Sequence, residues 1–184
     1  LSTEKTYRSF LKEKGIAEPG GEGFRSVIPE MEQGKYTHYK KYSNANTGCY
    51  KPGLEYYFDG YFTNKAIEGL RSRNVDKPLF FSGMFLAPHP PLEIPEPFFS
   101  RVEENDVSMP ENVGIWYEYQ SPLQLYNLTG IVGTKCTMSE WHETWRVYMG
   151  LVALLDACVG RIIDELKSQN LYENSLIIFT TDHG

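Results

Sequence analysis

The strongest periodic pattern of apolar positions lies in the last third of the chain. Residues 137–140, Thr-Met-Ser-Glu, fit the capping-box sequence that begins many helices. Apolar side chains then recur at the spacing of one helical face: Tyr148, Leu151, Val152, Leu155, Val159, Ile162, Ile163 and Leu166. The pattern predicts one long amphipathic helix that ends where residues 170–174 interrupt it.

A shorter helix is predicted earlier in the chain. Ala66, Ile67 and Leu70 share one helical face. Thr63 is a suitable N-cap for it, and the pattern stops near Asn74.

Two continuous apolar runs predict buried strands. Residues 79–86, Leu-Phe-Phe-Ser-Gly-Met-Phe-Leu, lie between prolines, and residues 176–180, Leu-Ile-Ile-Phe-Thr, follow the long helix. Such runs are typical of strands that are covered on both faces in a parallel sheet. The order helix, strand, loop, helix, strand therefore predicts an α/β fold with part of a mostly parallel sheet flanked by helices.

Residues 1–60 and 87–137 are more polar and less periodic than the segments described above. Residues 1–60 are rich in tyrosine, with a short helix predicted over residues 6–14 and a glycine turn at residues 20–23. We predict that residues 1–60 are a peripheral, largely loop-like segment of the same domain and that residues 61–184 are its central part. Residues 87–137 lack periodic runs and are long for a connection, so they are predicted to line a functional site.

Composition narrows the class of function. The chain has 184 residues, enough for one core, and a formal net charge of -6, so no basic surface for nucleic acid is expected. No apolar run approaches the roughly 20 residues of a membrane span. The three cysteines form no CxxC pair, which argues against a structural zinc site, and Cys158 is predicted to be a buried apolar side chain.

Both predicted strands end in residues that can carry chemistry. The first leads into Ala-Pro-His-Pro-Pro at residues 87–91, where the prolines restrict the backbone around His89. The second ends at Asp182 and His183, which together make half of a metal site. Ligands of open α/β sheets bind at the carboxyl ends of the strands, so both positions are suitable.

Each of these residues can also be interpreted as having a purely structural role. Without other evidence, the sequence around His89 favours a surface histidine in a rigid turn over a catalytic histidine. Asp182 and His183 fit a polar strand end as well as they fit a metal site. Residues 141–143, Trp-His-Glu, are predicted to pack the start of the long helix and not to face a cleft.

Two segments together resemble the sulfatase family of the alkaline phosphatase superfamily. Residues 77–92, KPLFFSGMFLAPHPPL, resemble a strand and loop of that family, and residues 148–184 resemble its later helix, strand and Asp-His-Gly turn. Residues 61–66 similarly resemble the helix before the first strand. The resemblance covers about residues 55–184.

The resemblance implies an alkaline-phosphatase-like sulfate ester hydrolase. In that family a formylglycine nucleophile attacks sulfur beside a divalent metal ion, usually Ca²⁺. The resemblance implies that His89 contacts the sulfate or protonates the departing alcohol, and that Asp182 and His183 bind the metal ion. The expected partner is a sulfated small molecule or glycan, and a periplasmic, secreted or lysosomal location is favoured over a cytoplasmic one.

The chain also departs from the family pattern, which forms formylglycine from Cys or Ser in a Cys/Ser-x-Pro/Ala-x-Arg sequence. None of Cys49, Cys136 and Cys158 lies in that sequence. Residues 108–112, Ser-Met-Pro-Glu-Asn, have asparagine where arginine is required. We therefore expect formylglycine in a missing N-terminal part, and no turnover by the 184 residues alone.

Two other interpretations stay open. A phosphodiesterase or phosphonate monoester hydrolase of the same superfamily would share the Asp-His pair, and the identity of the nucleophile upstream would distinguish it. A noncatalytic carbohydrate-binding module would use the aromatic residues 116–119 as its contact surface. Such a module would bind glycans without metal or sulfate.

Overall fold

A computed structural model describes residues 4–32, 34–113, 115, 117–119, 121 and 136–181. The helices and strands, in chain order, are α1 (Glu4–Lys14), β1 (Arg25–Glu32), β2 (Lys35–Ser43), β3 (Thr47–Cys49), α2 (Phe58–Arg71), β4 (Leu92–Ile94) and α3 (Met138–Ser168). None of these helices combines the length and the apolar composition that crossing a bilayer requires.

The described strands form two small sheets. β1 and β2 pair antiparallel, in a region that was predicted to be loop-like. β3 and β4 pair parallel, with Thr47 opposite Leu92 and Cys49 opposite Ile94. α2 lies in the connection between these two parallel strands, and α3 contacts both of them. Parallel strands flanked by helices confirm the predicted α/β class.

The long helix α3 begins and ends as its sequence predicts. The Thr137 hydroxyl accepts from Glu140 N at 3.2 Å, while the Glu140 carboxylate accepts from Thr137 N at 2.7 Å, which completes the capping box. At the other end Asn170 adopts a left-handed φ of 55°, and Leu171 N donates to Leu166 O at 2.9 Å. This is a Schellman ending, which satisfies carbonyl groups of the last turn.

α2 begins earlier than predicted. Its N-cap is Tyr57, and Thr63 lies buried inside the helix, where its hydroxyl donates to the carbonyl oxygen of Asp59 at 2.7 Å. At Gly60 a Cβ would lie 1.9 Å from the carbonyl oxygen of Leu54, so this turn requires glycine. The first turn is aromatic and has weak helix propensity, so packing against the rest of the chain decides where the helix begins.

The main difference from the sequence prediction concerns the two predicted strands. Residues 79–86 and 176–180 are both described, but neither pairs with a strand in the described part of the chain. They are not buried either, since Phe80 is 93% exposed and Leu176 is 88% exposed. A β-strand needs a neighbour that exchanges backbone hydrogen bonds with it, and the described residues place none beside these runs.

The largest core lies between α3 and the segment around β4. Buried apolar side chains from both elements meet there: Leu92, Ile94, Phe98, Val147, Leu151, Leu154 and Cys158. Cys158 is 0% exposed, which confirms its prediction as a buried apolar residue.

Tyrosines from the first 60 residues also enter the interior. Tyr7, Tyr50 and Tyr57 are buried. The Tyr7 hydroxyl donates to Tyr56 O at 2.8 Å, and the Tyr50 hydroxyl donates to Ala17 O at 2.8 Å. Burial raises the pKa of Tyr50 to about 12. The division of the domain at residue 60 stays a prediction.

The burial of Leu154 leads to a stability prediction. Leu154 is 0% exposed, so Leu154→Ala is expected to lower the free energy of unfolding by about 2–5 kcal/mol through lost burial and a residual cavity. Val152→Ala is the matched control, because Val152 lies on the same helix and is 41% exposed. Its effect is expected within about 0.5 kcal/mol. Urea titration measures both, and equal losses would contradict the packing described above.

Candidate active site

His89 lies on a turn between the first apolar run and β4. Its backbone N–H donates to Leu86 O at 2.9 Å, and its ring Nδ1 contacts Pro90 O. A carbonyl oxygen can only accept, so Nδ1 is the donor and carries a proton. In the neutral ring the other nitrogen, Nε2, is then free of hydrogen. The imidazole is exposed, and Nε2 is the atom through which it can take up or release a proton.

The backbone just before His89 is held by a buried carboxyl group. Asp59, in the first turn of α2, is 1% exposed. Its Oδ1 accepts from Leu86 N at 2.6 Å and from Ala87 N at 3.3 Å. These two hydrogen bonds connect α2 to the end of the apolar run.

The backbone just after His89 is also held. Pro91 and Leu92 are buried, and the Glu93 carboxylate accepts from Gly20 N at 2.8 Å. Gly20 has a φ of +80°, and a Cβ there would lie 2.4 Å from Pro91 Cγ, so glycine permits this close approach. The imidazole of His89 is therefore exposed on a backbone that is constrained at both ends.

Burial and hydrogen bonding act on the Asp59 carboxyl group in opposite directions. Burial raises its pKa, and the backbone N–H groups of Leu86 and Ala87 lower it in part. Asp59 was not among the predicted site residues, because it lies before Thr63, where the helix was predicted to begin. An available signal was an acidic residue surrounded by the aromatic residues at positions 56–58 and 61–62.

The other predicted site residues, Asp182 and His183, lie outside the described residues. Among the residues that are described, no group of three or more His, Cys, Asp and Glu side chains could hold a metal ion.

Side chains at the start of α3 form polar contacts with the segment that follows β4. His142 also lines an open cavity together with Val107 and Ser139, which differs from the prediction that residues 141–143 do not face a cleft. His142 Nε2 lies 3.2 Å from Val107 O, which it can only reach as a donor. Arg146 pairs with Glu143 at 2.7 Å and donates to Phe99 O at 2.6 Å. The hydrogen bond from Arg146 lowers the pKa of the Glu143 carboxyl group. These contacts attach the helix to the segment that follows β4.

The fold and this loop define an α/β protein with an exposed histidine at the end of an apolar run. The sulfatase family model matches residues 3–184, and the chain belongs to the sulfatase family.

Individual relatives agree with this assignment. The chain is 27% identical over 163 residues to an uncharacterized sulfatase of Schizosaccharomyces pombe, covering 81% of this chain and 28% of that protein. It is 29% identical over 138 residues to the multifunctional alkaline phosphatase superfamily protein PehA of Trinickia caryophylli, covering 67% and 26%. It is 27% identical over 125 residues to an arylsulfatase of Clostridium perfringens, covering 66% and 25%. The chain thus spans about a quarter of the length of these curated relatives.

Proposed function

We propose that the whole protein hydrolyses sulfate esters and that His89 contacts the sulfate group or protonates the departing alcohol. The family match supports the reaction class. The observation that carries the role of His89 is its exposed imidazole on a loop that is held at both ends.

The tautomer of His89 suits this role. The contact between Nδ1 and Pro90 O limits rotation of the ring and leaves Nε2 for the substrate. A protonated Nε2 can donate to a sulfate oxygen or to the ester oxygen of the leaving alcohol. In the second case it supplies the proton that the departing alkoxide needs, which is general acid catalysis.

We propose that Asp182 and His183 bind the divalent metal ion that sulfatases generally use, and that this ion is Ca²⁺. Carboxylate oxygens are the ligands that this hard cation prefers, which supports Asp182 as one of them. Such an ion, when bound, supplies Lewis-acid polarisation of the sulfate oxygens.

We propose that the nucleophile is a formylglycine in a part of the whole protein outside the present sequence. No Cys or Ser of this chain lies in a Cys/Ser-x-Pro/Ala-x-Arg sequence. The substrate would be a sulfated small molecule or glycan.

The test compares ester classes with the whole protein. 4-Nitrophenyl sulfate is expected to be cleaved with a higher kcat/KM than bis(4-nitrophenyl) phosphate or 4-nitrophenyl phenylphosphonate. The phosphorus esters are included because one relative is a multifunctional protein of the superfamily, and a preference for them would contradict the proposal. The 184 residues alone serve as a control and are expected to give no turnover.

Calorimetry of the whole protein with sulfated and unsulfated glycans, run beside the ester assays, addresses the carbohydrate-binding alternative. Tyr119 is 94% exposed, and Trp116 lies outside the described residues. Binding of glycans without hydrolysis of any ester would favour that alternative over a sulfatase.

A further inference from the structure

Asp59 is unusual because its carboxyl group is buried in the protein interior. It is 1% exposed, and its Oδ1 accepts two backbone hydrogen bonds from residues that lie 27 and 28 positions further along the chain. Its Oδ2 is buried without a hydrogen-bond partner among the described residues. A buried carboxyl group with an unsatisfied oxygen destabilises a fold, and an apolar residue of similar size would avoid that cost. A specific structural role of Oδ1 would explain why a carboxyl group occupies this buried position.

The two amides that Asp59 accepts from show what this role is. They belong to Leu86 and Ala87, which immediately precede Pro88 and His89. Pro88 has no N–H to contribute. Through these two hydrogen bonds the Asp59 carboxyl group anchors the backbone that enters the His89 turn.

We infer that Asp59 is a positioning residue for His89: its Oδ1 fixes the backbone of Leu86 and Ala87, and thereby the position of the imidazole. This inference rests on the proposed function, because it assumes that His89 acts on the substrate. The burial that raises the pKa of Asp59 supports a carboxyl group enclosed by protein and removed from the substrate.

Three substitutions in the whole protein separate positioning from mere packing. Asp59→Asn keeps an acceptor oxygen for the two amides and is expected to retain kcat within about threefold. Asp59→Leu keeps the branched shape of the side chain but removes the acceptor, and is expected to lower kcat by about 10- to 100-fold, as loss of an orienting partner does in metal sites. KM is expected to change little. Thr63→Val is the matched control, because Thr63 is 0% exposed on the same helix and does not bond residues 86–87.

A double-mutant cycle with His89→Ala tests whether Asp59 acts through His89. If it does, Asp59→Leu combined with His89→Ala is no slower than His89→Ala alone, because the positioned group is already absent. Fully additive losses would overturn the inference, and so would an unchanged kcat in Asp59→Leu. If His89→Ala itself turns over like the wild type, the proposed role of His89 fails and the positioning role fails with it. If only His89→Ala is impaired, the proposed function stands and the inference alone is wrong.

Hydrogen exchange gives a readout that does not depend on activity. Residue-resolved mass spectrometry of the whole protein is expected to show slow exchange of the Ala87 amide in the wild type and in Thr63→Val. Faster exchange is expected in Asp59→Leu. Free exchange of this amide in the wild type would overturn the inference even if Asp59→Leu failed to fold.

Discussion

Replacement of His89 by alanine in the whole protein is expected to lower kcat/KM for phenyl sulfate by about 10²- to 10⁴-fold, the range that positioned acid–base groups contribute. The loss is expected to be smaller for 4-nitrophenyl sulfate, because nitrophenolate is a weaker base and departs with less need for a proton. Steady-state rates with the two esters measure the difference. The result follows from an exposed Nε2 on a constrained loop.

His142→Ala is the matched control for that experiment. His142 bonds a backbone carbonyl group at the start of α3, so its loss is expected to reduce stability and to leave kcat unchanged. Equal losses for the two esters in His89→Ala would assign His89 to contact with the sulfate group. Unchanged rates would contradict both roles.

Asp182→Ala is expected to remove both the bound divalent metal ion and most of the activity. A Lewis acid contributes several kcal/mol to such reactions, so the loss in kcat/KM is expected to be about 100-fold or more. Metal content by mass spectrometry and turnover of 4-nitrophenyl sulfate measure the two effects. Chelation with EDTA is expected to reproduce the loss in the wild type, and added Ca²⁺ to reverse it.

Asp164→Ala is the control for Asp182→Ala, because Asp164 is an exposed carboxylate on α3. It is expected to keep both the metal ion and the activity. A variant at Asp182 that retained its metal ion and its rate would show that this residue is not a ligand.

The elements that depend on neighbours in the sequence were predicted correctly. The capping box of Thr137 and Glu140 uses groups within one turn of helix, so its sequence pattern is sufficient to place the start of α3. The helix ending near Asn170 is equally local. The burial of Cys158 followed from the periodicity of the same helix.

The predictions were wrong where distant contacts decide the outcome. The aromatic residues at the start of α2 are poor helix formers, and packing extends the helix to Phe58. The runs at residues 79–86 and 176–180 have the composition of buried strands, but they have no partner strand in the described part of the chain. The apolar pattern indicates that a segment favours a buried strand, but it does not show whether a neighbouring strand is present to pair with it.

The sequence by itself determined α3, the family, and a proline-restricted loop around His89, because each depends on residues that are close together along the chain. Only the tertiary structure decided that Asp59 is buried and bonds the backbone before that loop. Its partners lie 27 and 28 residues away, and a hydrogen bond across that separation forms only when packing brings α2 against the end of the apolar run. The role of His89 stays a proposal, and its exposure on a loop held at both ends is the structural reason for making it.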